Sequence, residues 1–338
     1  MSRAKRSGKS HPTVLLVSVI ALVVVMATVF EFRKGPKPVG WQKGNTFVGH
    51  SNPILAVAFS PDGQRLASGD QEGNIVVWQW GSSQPVTTLH GDQQRILSLT
   101  FSPDGRTLVS GDTEGTVILW DMTQGKEERT LYLHDAGVIG IGYACDGKTL
   151  ATASADGEIK LWDPMTGKRN AHWKSHQEGI SSLAYSPDGQ TLATGSKDRS
   201  VVVWDVTNMK EKASLQDQKA AIHAVAFIKD GKNLVAAQSN GEIKVWDSTT
   251  CHEVETLKAT GTILLSLSVT ADGRKMIAGS LEGVVNLWDL DVSRDPMVLE
   301  HQKEPWVKAV ALAPSGARLV FGMNSDFSLL GWELRSQD

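Results

Sequence analysis

Histidines and carboxylates recur in this 338-residue sequence at spacings that could support proton transfer. His50, His134 and His176 each stand nine residues before an aromatic residue (Phe59, Tyr143, Tyr185). An Asp or Glu stands six residues before most of the tryptophans that mark the chain, as with Asp156 before Trp162 and Asp198 before Trp204. A histidine set against a carboxylate is a common pair for general acid–base work near neutral pH. Several copies of the pair point instead to a device of the fold, since one active site needs one of them. The sequence contains no G-x-S-x-G, no phosphate-binding P-loop and no His and Cys cluster at metal-ligand spacing. No enzyme activity, cofactor or metal is therefore expected. Cys145 and Cys251 stand at positions that do not correspond between repeats, so no disulfide is expected either.

The elements that must position these residues are repeats. Trp78, Trp120, Trp162, Trp204, Trp246 and Trp288 follow one another at intervals of 42 residues, and Trp332 follows after 44. The next residue is an acid or glutamine in every copy, and five of the seven copies read Trp-Asp. Fifteen residues before each of the first six stands the glycine of a turn such as Ser60-Pro61-Asp62-Gly63, Ser102-Pro103-Asp104-Gly105 or Ser186-Pro187-Asp188-Gly189. Proline presets φ and glycine takes the left-handed position, so each turn joins a hairpin. Between turns lie short segments rich in β-branched residues, for example 54–59, 66–69 and 75–78, with strand lengths. Both faces of the first segment are apolar, as a sheet packed between two others requires.

On these residues the chain resembles the WD-repeat family, β-propellers whose repeats of some 40 to 45 residues run from Gly-His to Trp-Asp. The resemblance covers residues 41 to 335. It implies an all-β, seven-bladed β-propeller of four-stranded antiparallel blades, with residues 41–48 supplying the outer strand of the last blade and closing the ring. It also implies a buried chain of Asp, His, Ser or Thr, and Trp within each blade, ending at the indole N–H. By residue type that chain is complete in blade three (His134, Thr152, Asp156, Trp162) and blade four (His176, Thr194, Asp198, Trp204). Blade one carries Glu72 for the Asp, blade two Asp92 for the His, blade five Gln218 and Asn240, and blade six Thr260 and Glu282. Blades five and six are accordingly expected to open more readily than the rest.

Charge divides the chain. Residues 1–43 hold eight Lys and Arg against one acid, a net charge of +7, leaving 26 basic and 36 acidic residues and a net charge of -10 in the remainder. A body of that sign repels phosphate backbones, so nucleic acid is not an expected partner. Thr13 to Phe30 is free of charge, and eighteen residues of helix span about 27 Å, close to the thickness of a hydrocarbon core. The predicted organisation is a basic tail (1–12), a single transmembrane helix (13–32), a linker (33–40) and the propeller (41–338). The flanks lack a good signal-peptidase site, and the short basic tail places the propeller on the extracytoplasmic side.

In WD-repeat propellers proteins often dock on the face formed by the second tight turns and the starts of the inner strands, so binding residues should depart from the repeat. The position before the first inner-strand aliphatic reads Pro53, Arg95, Gly137, Gly179, Ala221, Ile263 and Trp306 around the ring. Trp and Arg are frequent hot-spot residues. Trp306 stands outside the 42-residue register, and the competing expectation for it is packing beneath the longer loop of the last repeat. Eight residues before each tryptophan, Asp70 and Asp112 are acidic where Ser154, Ser196, Gln238, Ser280 and Asn324 are neutral. Trp306, Arg95, Asp70, Asp112 and Ile263 are therefore the candidate partner-binding residues. The expected function is a non-catalytic protein-interaction scaffold at a membrane surface. The alternative is an extracytoplasmic enzyme or small-ligand receptor using the central channel.

Overall fold

The computed structural model describes residues 40–335, apart from 92, 133, 175, 217, 302–305 and 324. The expected tail, membrane helix and most of the linker lie outside the described residues, as do Asp92 and Asn324. Among the described residues no helix is long and apolar enough to cross a membrane.

Seven four-stranded antiparallel sheets follow one another along the chain. Blade one runs outward from Ile54–Phe59 through Arg65–Asp70 and Asn74–Gln79 to Pro85–His90. Five more blades repeat this order, beginning at Ile96, Val138, Ile180, Ile222 and Leu264. The seventh is built from both ends of the ring. Its inner strands are Val310–Leu312, Arg318–Gly322 and Leu329–Leu334, and Trp41–Phe47 pairs outside them with Trp41 opposite Leu334 and Phe47 opposite Leu329. The innermost strands of successive blades touch around the circle, including the seventh against the first, so the ring is closed. Closure leaves no unpaired sheet edge around the ring.

The hairpins form where proline and glycine require them. Gly63 (φ 65°) takes the left-handed position, and the Ser60 hydroxyl donates to Asp62 Oδ1 at 2.5 Å while accepting from the Arg65 N–H at 2.8 Å. The Ser60 hydroxyl, with the Gln64 N–H behind it, holds the Asp62 carboxyl below its ordinary value.

Packing between blades needs small residues at fixed places. A Cβ on Gly69 would lie 2.4 Å from Ile96 Cγ2 of the next blade, and one on Gly279 would lie 2.5 Å from the Val307 carbonyl oxygen. Two residues after the first inner-strand aliphatic stand Ala56, Ser98, Gly140, Ser182, Ala224, Ser266 and Ala309, all small. Several of the serines there bond to the next blade. Ser98 Oγ donates to the Val138 carbonyl at 2.9 Å, Ser266 Oγ donates to the Val307 carbonyl at 3.1 Å, and Ser182 Oγ accepts from the Val225 N–H at 3.0 Å.

Candidate functional site

The indole chains join the loop that enters a blade to its second strand, the tight turn after that strand and its third strand. In blade four the Trp204 N–H donates to Thr194 Oγ1 at 3.1 Å, Thr194 meets His176 Nε2 at 2.8 Å, and His176 Nδ1 meets Asp198 Oδ2 at 3.2 Å. Burial lowers the His176 pKa against the raising effect of Asp198, which favours the neutral ring. Its Nδ1–H then donates to Asp198, and its Nε2 accepts from Thr194. The His176 side chain is buried and that of Asp198 is 12% exposed at the edge of the blade.

Blade one has the same complete chain, and it differs from the sequence expectation in its acid. His50 Nδ1 meets Asp70 Oδ2 at 3.0 Å and His50 Nε2 meets Ser68 Oγ at 2.7 Å, while the Trp78 N–H donates to Ser68 at 3.0 Å. Asp70, not Glu72, is the partner. Asp70 is 1% exposed and its Oδ1 also accepts the Glu72 and Asn74 N–H groups, which caps the tight turn. Asp112 is 4% exposed and caps the next blade's turn through the Glu114 and Thr116 N–H groups. Both carboxylates are therefore interior, unlike Arg95 and Trp306, which are exposed. The physical reason is strand periodicity: Asp70 lies two residues beyond Ser68, on the same inward side.

Blade three, complete by residue type, is broken in the fold. The Trp162 N–H donates to Thr152 at 3.0 Å and Thr152 meets His134 Nε2 at 2.8 Å, but buried His134 Nδ1 makes no hydrogen bond. In blades five, six and seven the hydroxyl itself is missing, because Ala236, Ala278 and Phe321 stand two residues beyond the strand partner of Trp246, Trp288 and Trp332, where blade one has Ser68. The buried indole N–H groups of Trp288 and Trp332 consequently have no acceptor. An unsatisfied buried donor costs roughly 1–3 kcal/mol. Ala278→Ser is expected to supply the acceptor and raise stability by about 1 kcal/mol. Hydrogen exchange should show slower opening in blade six of the variant, and equal exchange in both proteins would count against this assignment.

The remaining candidates share one face. Pro53, Gly137, Gly179, Ala221 and Ile263 each accept through their carbonyl from the second tight turn of their own blade, for example the Leu281 N–H to Ile263 O at 2.8 Å. Arg95 and Trp306 hold the equivalent positions, immediately before Ile96 and Val307. Arg95 is exposed and Ile263 is half-buried. Trp306 is 48% exposed. Its backbone has φ 88°, and it is fixed there by its N–H donating to Leu281 O and by the Val307 N–H donating to Ser280 O, both at 2.9 Å. Lys308 Nζ stands 5.5 Å from the ring centroid, in cation–π range.

Lys308 also lines the central channel, a cavity of about 200 Å³ walled mainly by inner-strand aliphatics such as Leu55, Leu97 and Ile139. Hydroxyls in the wall are committed to the backbone, with Ser181 Oγ donating to Ile222 O at 2.5 Å alongside the inter-blade bonds of Ser98, Ser182 and Ser266. The sequence reading had passed over these serines. Their signal was the recurrence of small residues two places into every inner strand.

The chain matches the WD domain, G-beta repeat family over residues 41–79, 83–121, 125–163, 167–205 and 209–247, together more than half of its length. It belongs to the WD40-repeat family. Each matched unit comprises the outer strand of one blade and the three inner strands of the next, so the ring-closing strand Trp41–Phe47 is the opening of the first WD40 repeat. Ribosomal RNA-processing protein 9 of Saccharomyces cerevisiae is 33% identical over 72 residues, covering 18% of this chain and 13% of that protein. A probable cytosolic Fe–S cluster assembly factor of Schizosaccharomyces pombe is 45% identical over 42 residues, covering 12% of this chain and 7% of that protein. The WD40 chain thus spans only a small part of these relatives.

Proposed function

We propose that this protein is a non-catalytic interaction scaffold, a WD40 propeller displayed on the extracytoplasmic side of a membrane by residues 13–32, with its protein partner docking on the face that carries Trp306 and Arg95. The observation that carries the reading is Trp306. A large aromatic residue held half-exposed at positive φ is strained by roughly 1–3 kcal/mol, and such strain concentrates at binding positions. Arg95 occupies the equivalent position two blades further round the closed ring, and Ile263 the one immediately before. The uncharged run from Thr13 to Phe30 supports the anchor. Gly40 accepts from the Arg335 N–H, at the end of blade seven that holds the Ser315-Gly316 turn, and the Trp306 face lies at the other end. The channel offers little for catalysis, since its serine hydroxyls are bound to backbone.

Affinity capture from detergent-solubilised membranes, comparing the wild-type chain with Trp306→Ala, Arg95→Ala, tests the reading. A protein lost selectively from the variant is expected, and equal recovery of all captured proteins counts against this face. Trp306→Gly separates binding from folding. Glycine accepts φ 88° without strain, so the thermal midpoint is expected to hold or rise while capture falls. A midpoint that falls together with capture would make Trp306 a packing residue. Removal of residues 1–32 is expected to release the chain from the membrane fraction, and retention there would count against the anchor.

A further inference from the structure

We infer that blade three carries a site for a divalent transition-metal cation, zinc being the ion its donors fit, formed by His134, Asp156 and Glu158. The ligand atoms of these three residues lie within 4.8 Å of one another. Close His and Cys spacing does not reveal this site, because its donors come from the entry to the blade, a tight turn and the following strand.

Three observations point to a ligand. First, His134 is only 8% exposed and its Nδ1 has no hydrogen-bond partner, whereas the corresponding atoms of His50 and His176 meet Asp70 and Asp198. Second, with the ring proton on Nε2 this Nδ1 is a lone pair and no neighbour is left unsatisfied: His134 Nε2 meets Thr152 Oγ1 at 2.8 Å, the Trp162 N–H donates to the same oxygen, and the Thr152 hydroxyl lies 3.4 Å from the Lys160 carbonyl, a contact its counterparts repeat in blades one and four. A ligating histidine whose other N–H is held by the protein is the usual outer-sphere arrangement of a metal site. Third, Glu158 places a second carboxylate where blades one, two and four have Asn74, Thr116 and Ser200. The Asp156 carboxylate is oriented by accepting the Glu158 N–H at 2.8 Å.

Three converging lone-pair donors repel one another unless a cation or proton lies between them. Zinc takes imidazole nitrogen and carboxylate oxygen at about 2.0–2.2 Å, which sets neighbouring ligand atoms about 3.4 Å apart in a tetrahedron. Small side-chain rotations of Asp156 and Glu158 bring the set to that spacing. The competing cation is Lys160, whose ammonium lies 2.9 Å from Glu158 Oε2.

The test is zinc titration of the full-length detergent-purified chain after chelator treatment, against a chromogenic indicator. One equivalent is expected to bind. Glu158→Gln, which leaves the indole chain untouched, should weaken binding at least tenfold, and Lys160→Gln should tighten it. Nitrogen NMR of the His134 ring should show an unprotonated Nδ1 whose resonance shifts with zinc. No stoichiometric binding, binding unaltered in Glu158→Gln, or an Nδ1 that carries a proton with and without zinc would each overturn the site. The last result would mean that Asp156 simply accepts from His134 in solution.

Discussion

Phe47→Ala is expected to destabilise the propeller by about 3–5 kcal/mol, the range for removing a fully buried aromatic side chain. Phe47 is 0% exposed, with its ring 5.6 Å from that of Trp78 and 5.5 Å from that of Trp80. It stands at the end of Trp41–Phe47, the strand that completes blade seven, and packs both there and against blade one, whose Trp78 and Trp80 meet its ring. The other blades are each a continuous run of chain, whereas blade seven joins the first strand to the last by non-covalent pairing. The Trp80 N–H donating to Glu333 Oε1 at 3.0 Å and the Arg318 guanidinium donating to Gly63 O at 3.2 Å hold the same seam. Loss of the Phe47 ring leaves a cavity and loosens the strand whose departure would open the circle. Urea unfolding should show a lower midpoint, with Val86→Ala on an exposed outer strand as the near-neutral control. Equal loss in the two variants would mean that the seam does not limit stability.

The parts of this fold that could be read from the sequence are those with local causes. Gly63, Gly105 and Gly189 stand where a hairpin needs positive φ, and all three have it. The 42-residue interval brought the tryptophans into register, and residues 41–48 had no other sheet to join. The choice between Asp70 and Glu72 was harder, because both are acids near one turn. Strand alternation decides it, since Ser68 and Asp70 point to the same side, and the rule could have been applied beforehand. Blade three shows the opposite limit. Its four residue types are correct, but whether His134 reaches Asp156 depends on side-chain torsions and on the charges of Glu158 and Lys160, which no spacing encodes. Trp306 was conspicuous as a departure from the repeat. Its half-exposure follows from the backbone bonds to Ser280 and Leu281 of the preceding blade, a contact between residues far apart in the pattern.

Acid should weaken the ring before Asp70 and Asp198 are protonated. His134 has its pKa lowered from 6.5 to about 4, first by burial and then by the Lys160 ammonium, against the raising effects of Asp156, Glu158 and Asp135. The folded pKa lies below the unfolded one, so the folded state binds fewer protons as pH falls. The contribution of His134 is complete above pH 6.5 and is lost between there and about pH 4, by about 3 kcal/mol in all. His176, also lowered chiefly by burial, acts in the same direction. The carboxylates act later. Burial tends to raise Asp70 and Asp198, but hydrogen bonds from His50 and Asn74 to the first, and from Ser200 and the Gln177 N–H to the second, leave both below 3.8. Their stabilisation is present above that value and is lost only as pH falls through the folded pKa. Urea unfolding of chelator-treated protein at pH 7, 5.5 and 4.5 should therefore show a steady fall in stability. His134→Gln should start lower and decline less steeply, because one of the protons taken up on unfolding is gone. A wild-type curve flat over that range would mean that His134 is protonated in the fold, and that the two carboxylates beside it outweigh its burial.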